Sequence, residues 1–310
     1  MALDPRRDAD QGVPMATADV GRGIHLEYET SGEGPPLVLI MGIGAQLIWW
    51  PSGFVERLAR RYRVIVFDNR DVGLSTKLEG AEPPPVGRMI ARALAGAEVG
   101  APYSLVDMAD DTAGLLDHLG LDDAHVLGVS MGGMVAQALA VAHPHRVRTL
   151  TSIMSHPGGR RYIPRRPRAL RALLAPRPRD RDEAVARTLA FYDAVGSSGF
   201  ARDIEGIRER AAEAYERCDY PAGFLRHFAA ICGARSRRGA LRFVRCPSAV
   251  IHGTVDPLVP PLGGRDTHAN LPDATLHLIE GMGHDLPPGA WNHVIEAIDA
   301  VTARVSYGVG

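Results

Sequence analysis

Short continuous apolar runs recur along this chain, with amphipathic stretches between them. Such runs are typical of strands in the middle of a parallel sheet, where helices cover both faces. Upstream of the runs, Ile24, Leu26 and Tyr28 alternate with polar residues, which predicts a half-exposed edge strand. The continuous apolar runs occupy residues 37–41, 64–67, 124–129, 147–154, 248–251 and 275–279.

Helical patterns fill the gaps between most of these runs. Ser104 stands three residues before Asp107, a spacing that resembles a capping box, and an apolar stripe follows until Gly120. Residues 131–143 are apolar and helix-prone and end before Pro144. Because strands alternate with helices, the sequence predicts an α/β fold with a mostly parallel, doubly wound sheet.

One long segment breaks this alternation. Residues 156–242 contain no convincing buried strand, but they carry helical patterns at 182–195, 204–217 and 224–231. The sequence therefore predicts a helical cap over residues 156–242, inserted into a core formed by residues 16–155 and 243–310. The polar residues 1–15 are predicted to be a disordered N-terminus.

Composition limits the classes of partner. The 310 residues carry a formal net charge of −1, which gives no electrostatic reason to expect binding to nucleic acid or to an anionic membrane. The longest apolar stretch, residues 37–50, is too short to span a bilayer. Three cysteines without a Cys-x-x-Cys spacing argue against both a disulfide framework and a zinc cluster. With no secretory signal pattern at the start, we expect a cytoplasmic protein.

An arginine-rich stretch opens the predicted cap. Nine arginines lie between Arg160 and Arg181, against one acidic residue, Asp180. A basic segment of this kind can recruit anionic ligands. Acidic residues follow shortly afterwards, so we interpret the stretch as a solvated edge of the cap and not as a nucleic-acid interface.

A Gly-x-Ser-x-Gly motif lies where strand 124–129 meets the following helix. It reads Gly128-Val129-Ser130-Met131-Gly132. A strand that turns this sharply into a helix needs small residues two before and two after the serine, and it leaves the serine hydroxyl exposed above the sheet. The helix N-terminus also directs free N–H groups towards a developing oxyanion. Ser130 is therefore the predicted nucleophile.

A serine hydroxyl needs a general base and a carboxylate that orients the base. In α/β folds that carry the serine on such a strand-to-helix turn, the chain order is serine, acid, histidine. Asp256 and His284 each follow a predicted strand in this order, at the sheet edge where functional loops gather. Asp285 is a weaker candidate for the acid, because a residue adjoining the histidine normally points elsewhere.

Two backbone donors are expected to stabilise the oxyanion. One is the N–H of Met131, directly after the nucleophile. The other is the N–H of Ile43, in the turn 41–44, where glycines let the backbone approach a substrate closely. Gly42, Trp49 and Trp50 lie in or just after this turn and are predicted to line the substrate pocket.

Taken together, the turn at 41–44, the run 67–75, the serine motif, the loop 253–256 and Gly283-His284 resemble the α/β-hydrolase superfamily. Met41-Gly42 with Trp49-Trp50, the run 68–71 and the run 281–284 resemble the bacterial branch that includes the aclacinomycin methylesterases. The resemblance covers residues 24–155 and 243–300. It implies the α/β-hydrolase fold and structural roles for Asp68 and Arg70.

The chain departs from this resemblance at two positions. Met41 stands where many relatives have histidine, which affects loop packing more than chemistry. Asp71 replaces the usual glycine of the Asp-x-Arg-Gly turn, so we expect this loop to be arranged differently.

The sequence thus predicts a hydrolase of small-molecule carboxylic esters that works through an acyl-enzyme and needs no cofactor or metal. Three activities would use the same residues: a cofactor-free perhydrolase, a C–C bond hydrolase and an acyltransferase. A non-catalytic ligand-binding protein on the same scaffold is a further alternative, since a fold does not guarantee activity. A homodimer is left open.

Overall fold

The computed structural model of the protein describes residues 16–162 and 167–305, so the predicted disordered segment 1–15 lies outside the described residues. The strands are β1 (Ala16–Asp19), β2 (His25–Ser31), β3 (Pro36–Ile40), β4 (Arg63–Phe67), β5 (Ala124–Val129), β6 (Val147–Ile153), β7 (Ser248–Gly253) and β8 (Ala274–Ile279). The helices are α1 (Ser52–Ala59), α2 (Val86–Ala95), α3 (Leu105–His118), α4 (Met131–Ala142), α5 (Pro167–Leu173), α6 (Arg181–Val195), α7 (Ile204–Arg217), α8 (Pro221–Gly233), α9 (Arg238–Leu241), α10 (Leu262–Asn270) and α11 (Trp291–Thr302).

These strands form one sheet in the order β1-β2-β4-β3-β5-β6-β7-β8. The six strands from β4 to β8 in this order run parallel, while β1 and β2 pair antiparallel at one edge. The predicted mostly parallel sheet is confirmed. The prediction that residues 24–28 form the edge strand was wrong, because β1 pairs outside them. A four-residue strand in which only Ala18 is buried is too short to produce a readable alternation.

Both faces of the sheet are buried, as the continuous apolar runs predicted. In β3, Val38 and Ile40 pack into the apolar cluster that includes α3 and α4. Leu37 and Leu39, on the opposite face, pack into the cluster that includes α1 and α11. Burying each such side chain stabilises the fold by roughly 1.5–3 kcal/mol. Helices on both faces make the sheet doubly wound.

Local signals set the start of α3. The Ser104 side chain accepts a hydrogen bond from the Asp107 N–H, and the Asp107 carboxylate accepts one from the Ser104 N–H at 2.8 Å. This reciprocal pair is a capping box, as the spacing predicted.

Between β6 and β7, residues 156–162 and 167–242 contain helices and loops and no strand. The predicted helical patterns correspond to α6, α7 and α8. The sequence patterns did not reveal α2, which precedes this segment but packs against α8 through Met89 and Phe228. The layer formed by α2 and α8 is therefore drawn from two separate parts of the chain.

Several arginines of the arginine-rich stretch pair with acids from elsewhere in the chain. Arg161 lies 3.1 Å from Asp266, and Arg181 lies 2.8 Å from Glu216. These arginines are about half exposed, so each pair adds little stability, on the order of 0–1 kcal/mol. The pairing fits the interpretation of this stretch as a solvated edge.

Candidate active site

Ser130 occupies the sharp junction between β5 and α4. Its backbone has φ 55° and ψ −119°, a strained conformation for a residue other than glycine. A Cβ on Gly128 would lie 2.1 Å from the carbonyl oxygen of Gly132, and a Cβ on Gly132 would lie 2.0 Å from that of Ile40. Any side chain at either position would force the turn open, which explains the two glycines of the motif.

The structure brings Ser130, His284 and Asp256 into one chain of hydrogen bonds. His284 Nε2 lies 2.9 Å from Ser130 Oγ, and His284 Nδ1 lies 2.7 Å from Asp256 Oδ2. An ionised carboxylate only accepts, so Nδ1 carries the proton and donates to Asp256. The neutral ring then leaves Nε2 free to accept the Ser130 hydroxyl proton.

Asp256 is buried but well supplied with donors. Its Oδ1 accepts the N–H groups of Leu258 and Val259, both at 2.9 Å. Burial raises the pKa of this carboxyl, but the imidazoles of His284 and His252 beside it outweigh burial and hold the pKa at about 2. The carboxylate is therefore ionised at neutral pH. His252 donates through Nε2 to the Val259 carbonyl at 2.9 Å, a local contact beside the acid.

The neighbouring acid, Asp285, faces away from His284 and accepts the Ser197 N–H at 2.9 Å. The loop that carries His284 is anchored by Val195, the last residue of α6, and by Ser197, which follows it. The His284 N–H donates to the Val195 carbonyl at 2.7 Å, and the Gly283 N–H donates to Ser197 Oγ at 2.9 Å. Sequence reasoning missed this support, because nothing in the run 195–199 marks a partner almost ninety residues away.

The turn 41–44 lies beside the nucleophile. A Cβ built on Gly42 would be 3.4 Å from Ser130 Cβ, so the backbone here approaches the serine closely. Met131 is the first residue of α4, and its N–H has no partner within the helix. In the described part of the chain, no hydrogen bond is donated by the N–H of Ile43 or Met131. Both amides are thus free to bind an oxyanion.

The loop that follows β4 joins the turn to the helical segment above it. Asp68 Oδ1 accepts the Leu47 N–H at 2.7 Å, which ties this loop to the chain just after the turn 41–44. Asp71 has φ 67°, the left-handed conformation that glycine would adopt at this position. Its carboxylate accepts two hydrogen bonds, both at 2.8 Å, from the buried guanidinium of Arg226 on α8. The departure from glycine at this position therefore fastens α8 to the core.

Two cavities meet at Ser130. The large chamber has a volume of about 750 Å³ and extends between α2, the loop 96–104 and α8. The small chamber has a volume of about 170 Å³ and is bordered by His284 and several aromatic side chains. Both chambers are bordered by Ile43, Ser130, Leu173 and Leu258.

The predicted pocket residues surround the small chamber: Gly42, Trp49 and Trp50 all border it. Trp50 is 4% exposed and stacks on Phe54 with ring centroids 6.1 Å apart, so its main contact is with the core. Trp49 is half-buried and lies 6.2 Å from the ring of Tyr192 on α6. Trp49 is therefore the more available of the two for contact with a ligand.

The described residues offer neither a membrane-spanning helix nor a clustered metal site. Over residues 16–162 and 167–305, no helix combines the length and apolar character needed to cross a bilayer. The same ranges contain no group of three or more His, Cys, Asp or Glu side chains arranged to hold a metal ion.

Residues 35–287 match the model of a family described by the α/β-hydrolase fold. The chain belongs to the α/β-hydrolase fold family. This α/β-hydrolase is 28% identical to rhodomycin D methylesterase DauP of Streptomyces sp. (strain C5), over 86% of this chain and 90% of that protein. The match agrees with the predicted methylesterase-like branch.

Two further matches differ from this one in coverage and in identity. RutD of Azorhizobium caulinodans, named for carbamate hydrolysis, is 35% identical over 43% of this chain and 42% of that protein. The 2-hydroxy-6-oxo-6-phenylhexa-2,4-dienoate hydrolase of Rhodococcus sp. strain RHA1 superposes with a TM-score of 0.71 at 19% identity, covering 95% of this chain and 99% of that one. The latter likeness concerns the fold alone.

Proposed function

We propose that this α/β-hydrolase is a serine esterase that cleaves small-molecule carboxylic esters through an acyl-enzyme. The observation that carries the proposal is the continuous chain of hydrogen bonds from Ser130 through His284 to Asp256. The protein's similarity to a methylesterase, over most of the length of both proteins, supports an ester as the substrate. Residues 156–162 and 167–242, together with α2, would form the cap over the nucleophile.

In the first half of the reaction, Ser130 Oγ bonds to the ester carbonyl carbon while its proton passes to His284 Nε2. The N–H groups of Ile43 and Met131 donate to the resulting oxyanion, and Asp256 holds the imidazole in orientation without taking the proton. When the C–O bond breaks, His284 returns its proton to the departing alcohol. Water then gives a proton to His284 and attacks the acyl carbon. As the bond from this carbon to Ser130 Oγ breaks, His284 returns the proton to Oγ, which releases the acid and restores Ser130.

The two chambers give the substrate an orientation. The leaving alcohol must receive its proton from His284, so it lies on the side of the site that His284 borders. His284 borders the small chamber and is not among the residues around the large one. The small chamber therefore holds the alcohol and the large chamber holds the acyl group. This orientation favours esters of a bulky, mostly apolar acid with a small alcohol.

A covalent label tests the nucleophile directly. A fluorophosphonate probe reacts with a serine that is activated by a histidine and faces an oxyanion hole. We expect stoichiometric labelling of the purified protein, with the adduct mapped by peptide mass spectrometry to Ser130. Labelling should disappear when the protein is unfolded in urea beforehand. A folded protein that remains unlabelled would favour the non-catalytic binding protein.

An ester panel tests the orientation of the substrate. With the acid held constant, we expect kcat/KM to fall by about tenfold or more from the methyl to the octyl ester. With methyl esters, kcat/KM should rise with acyl length, since each buried CH₂ contributes about 0.8 kcal/mol. Two variants test the chambers separately. Trp49→Ala enlarges the small chamber and should raise kcat/KM for the octyl ester selectively. Ile231→Trp narrows the large chamber and should lower kcat/KM for esters of long-chain acids selectively. The reverse pattern would exchange the two assignments.

A further inference from the structure

His227 is a buried histidine that takes no part in the proton transfers proposed above. It lies on α8, and its side chain is fully buried. One ring nitrogen, Nδ1, lies 3.2 Å from the Gly44 nitrogen, and the other, Nε2, lies 2.8 Å from the Arg70 carbonyl oxygen. The imidazole thus bridges the turn 41–44 and the loop after β4.

These two contacts fix the tautomer of the ring. A carbonyl oxygen only accepts, so Nε2 carries the proton and donates to Arg70. Gly44 supplies an N–H donor, so Nδ1 must be the unprotonated nitrogen that accepts it. Burial lowers the pKa of His227 to about 4, which keeps the ring neutral and this arrangement intact at neutral pH. A ring with protons on both nitrogens would place two donors against each other at Gly44.

Two further contacts hold α8 against the turn 41–44 and the loop after β4. Gly44 has φ +62°, and a Cβ at this position would lie 2.8 Å from the ring of Phe224, one turn before His227 on α8. The buried pair between Asp71 and Arg226 fastens the same helix to the loop after β4. A side chain at position 44 would therefore press on Phe224 and strain the contact between Gly44 and His227.

We propose that His227 is a positioning residue for the oxyanion hole. By accepting the Gly44 N–H, it fixes the peptide after Ile43, so that the N–H of Ile43 faces the space above Ser130. The proposal rests on the esterase function proposed above. It adds that α8, part of the predicted cap, sets the geometry of a donor that belongs to the core.

Two substitutions separate the two hydrogen bonds of the ring. Asparagine places an acceptor oxygen near the position of Nδ1, so His227→Asn keeps the contact with Gly44. Glutamine places a donor near the position of Nε2, so His227→Gln keeps the contact with Arg70 and loses that with Gly44. We expect H227Q to lower kcat by about 10–100-fold with little change in KM, because loss of one oxyanion donor costs about 10²–10³ and here the donor is displaced and not removed. H227N should recover most of this loss.

A third variant controls for loosening of the helix. Ala229→Gly weakens α8 by about 1 kcal/mol without touching Gly44, and it should leave kcat close to that of the wild type. Each protein is also titrated with a trifluoromethyl ketone whose hemiketal oxyanion fills the hole. The inhibition constant of this ketone should rise in H227Q by the same factor by which kcat/KM falls. The KM of H227Q should stay close to that of the wild type.

Each outcome decides the question. Equal losses of kcat in H227Q and A229G, or a change confined to KM, would overturn the proposal, as would full activity in H227Q. Should H227Q not fold, H227N decides alone, since a loss of kcat as large as that expected for H227Q would also overturn it. The wild-type protein is tested alongside with the fluorophosphonate. Failure to label it would remove the esterase function itself and the role of His227 with it.

Discussion

Ser130→Ala is expected to lower kcat for ester hydrolysis by a factor on the order of 10⁶, because removing the nucleophile of such a triad abolishes the covalent route. The remaining activity over water would come from substrate binding and the oxyanion donors, which the substitution leaves in place. The measurement is kcat and KM for the methyl ester that the wild-type protein hydrolyses best. We expect KM to change little, since Ser130 Oγ contributes to the transition state more than to binding.

The fold should survive this substitution. Alanine adopts the conformation of Ser130 at a cost similar to that of serine, and the backbone bonds of the turn, such as the Ser130 N–H to the Ile153 carbonyl at 2.9 Å, remain. A thermal melt and a circular dichroism spectrum close to those of the wild type provide the control. Activity that persists in a folded Ser130→Ala protein would rule out Ser130 as the nucleophile.

Asp256→Asn is expected to lower kcat by a factor on the order of 10⁴. An amide in place of the carboxylate presents an N–H₂ group to His284, which turns or changes the tautomer of the ring so that Nε2 no longer accepts the Ser130 proton. Asparagine has nearly the same volume and retains an oxygen for the N–H groups of Leu258 and Val259. The loss should therefore appear in kcat and not in the melting temperature.

Asp285→Asn is the matched control for the choice of acid. Asp285 adjoins His284 in sequence, but its carboxylate accepts the Ser197 N–H. Such a hydrogen bond contributes about 0.5–1.5 kcal/mol, and asparagine can still accept it, so we expect kcat to fall by roughly tenfold or less. If Asp285→Asn showed the larger loss of kcat and Asp256→Asn the smaller, the assignment of the acid would be wrong.

The core of the fold was predictable because its signals are local. Apolar runs of strand length, the capping box at Ser104 and the glycines around Ser130 each follow from contacts within a few residues. The candidate triad was predictable for a related reason. In a parallel sheet the loops after successive strands gather at one edge, so chain order alone indicates that Asp256 and His284 lie near Ser130.

The elements that were missed depend on distant partners. The strand β1 has one buried residue and is stabilised by its pairing with β2, while α2 is held by its contact with α8. The bond from Gly283 to Ser197, which supports the loop of His284, joins positions 86 residues apart in the chain. The pair between Asp71 and Arg226 joins positions 155 residues apart. In neither pair does one partner carry a local pattern that points to the other.

The sequence by itself determined the class of fold, the candidate nucleophile, base and acid, and the two amides expected to face an oxyanion. These follow from backbone sterics and from the direction of the strands, which short motifs record. The tertiary structure decided how the helical segment packs against the sheet. It determined which helix binds Gly44 and which arginine pairs with Asp71. It also determined how the space at Ser130 divides into a large and a small chamber. Side chains from α2, α5, α6, α7 and α8 converge there from across the chain, and such convergence is a property of packing that no local pattern contains.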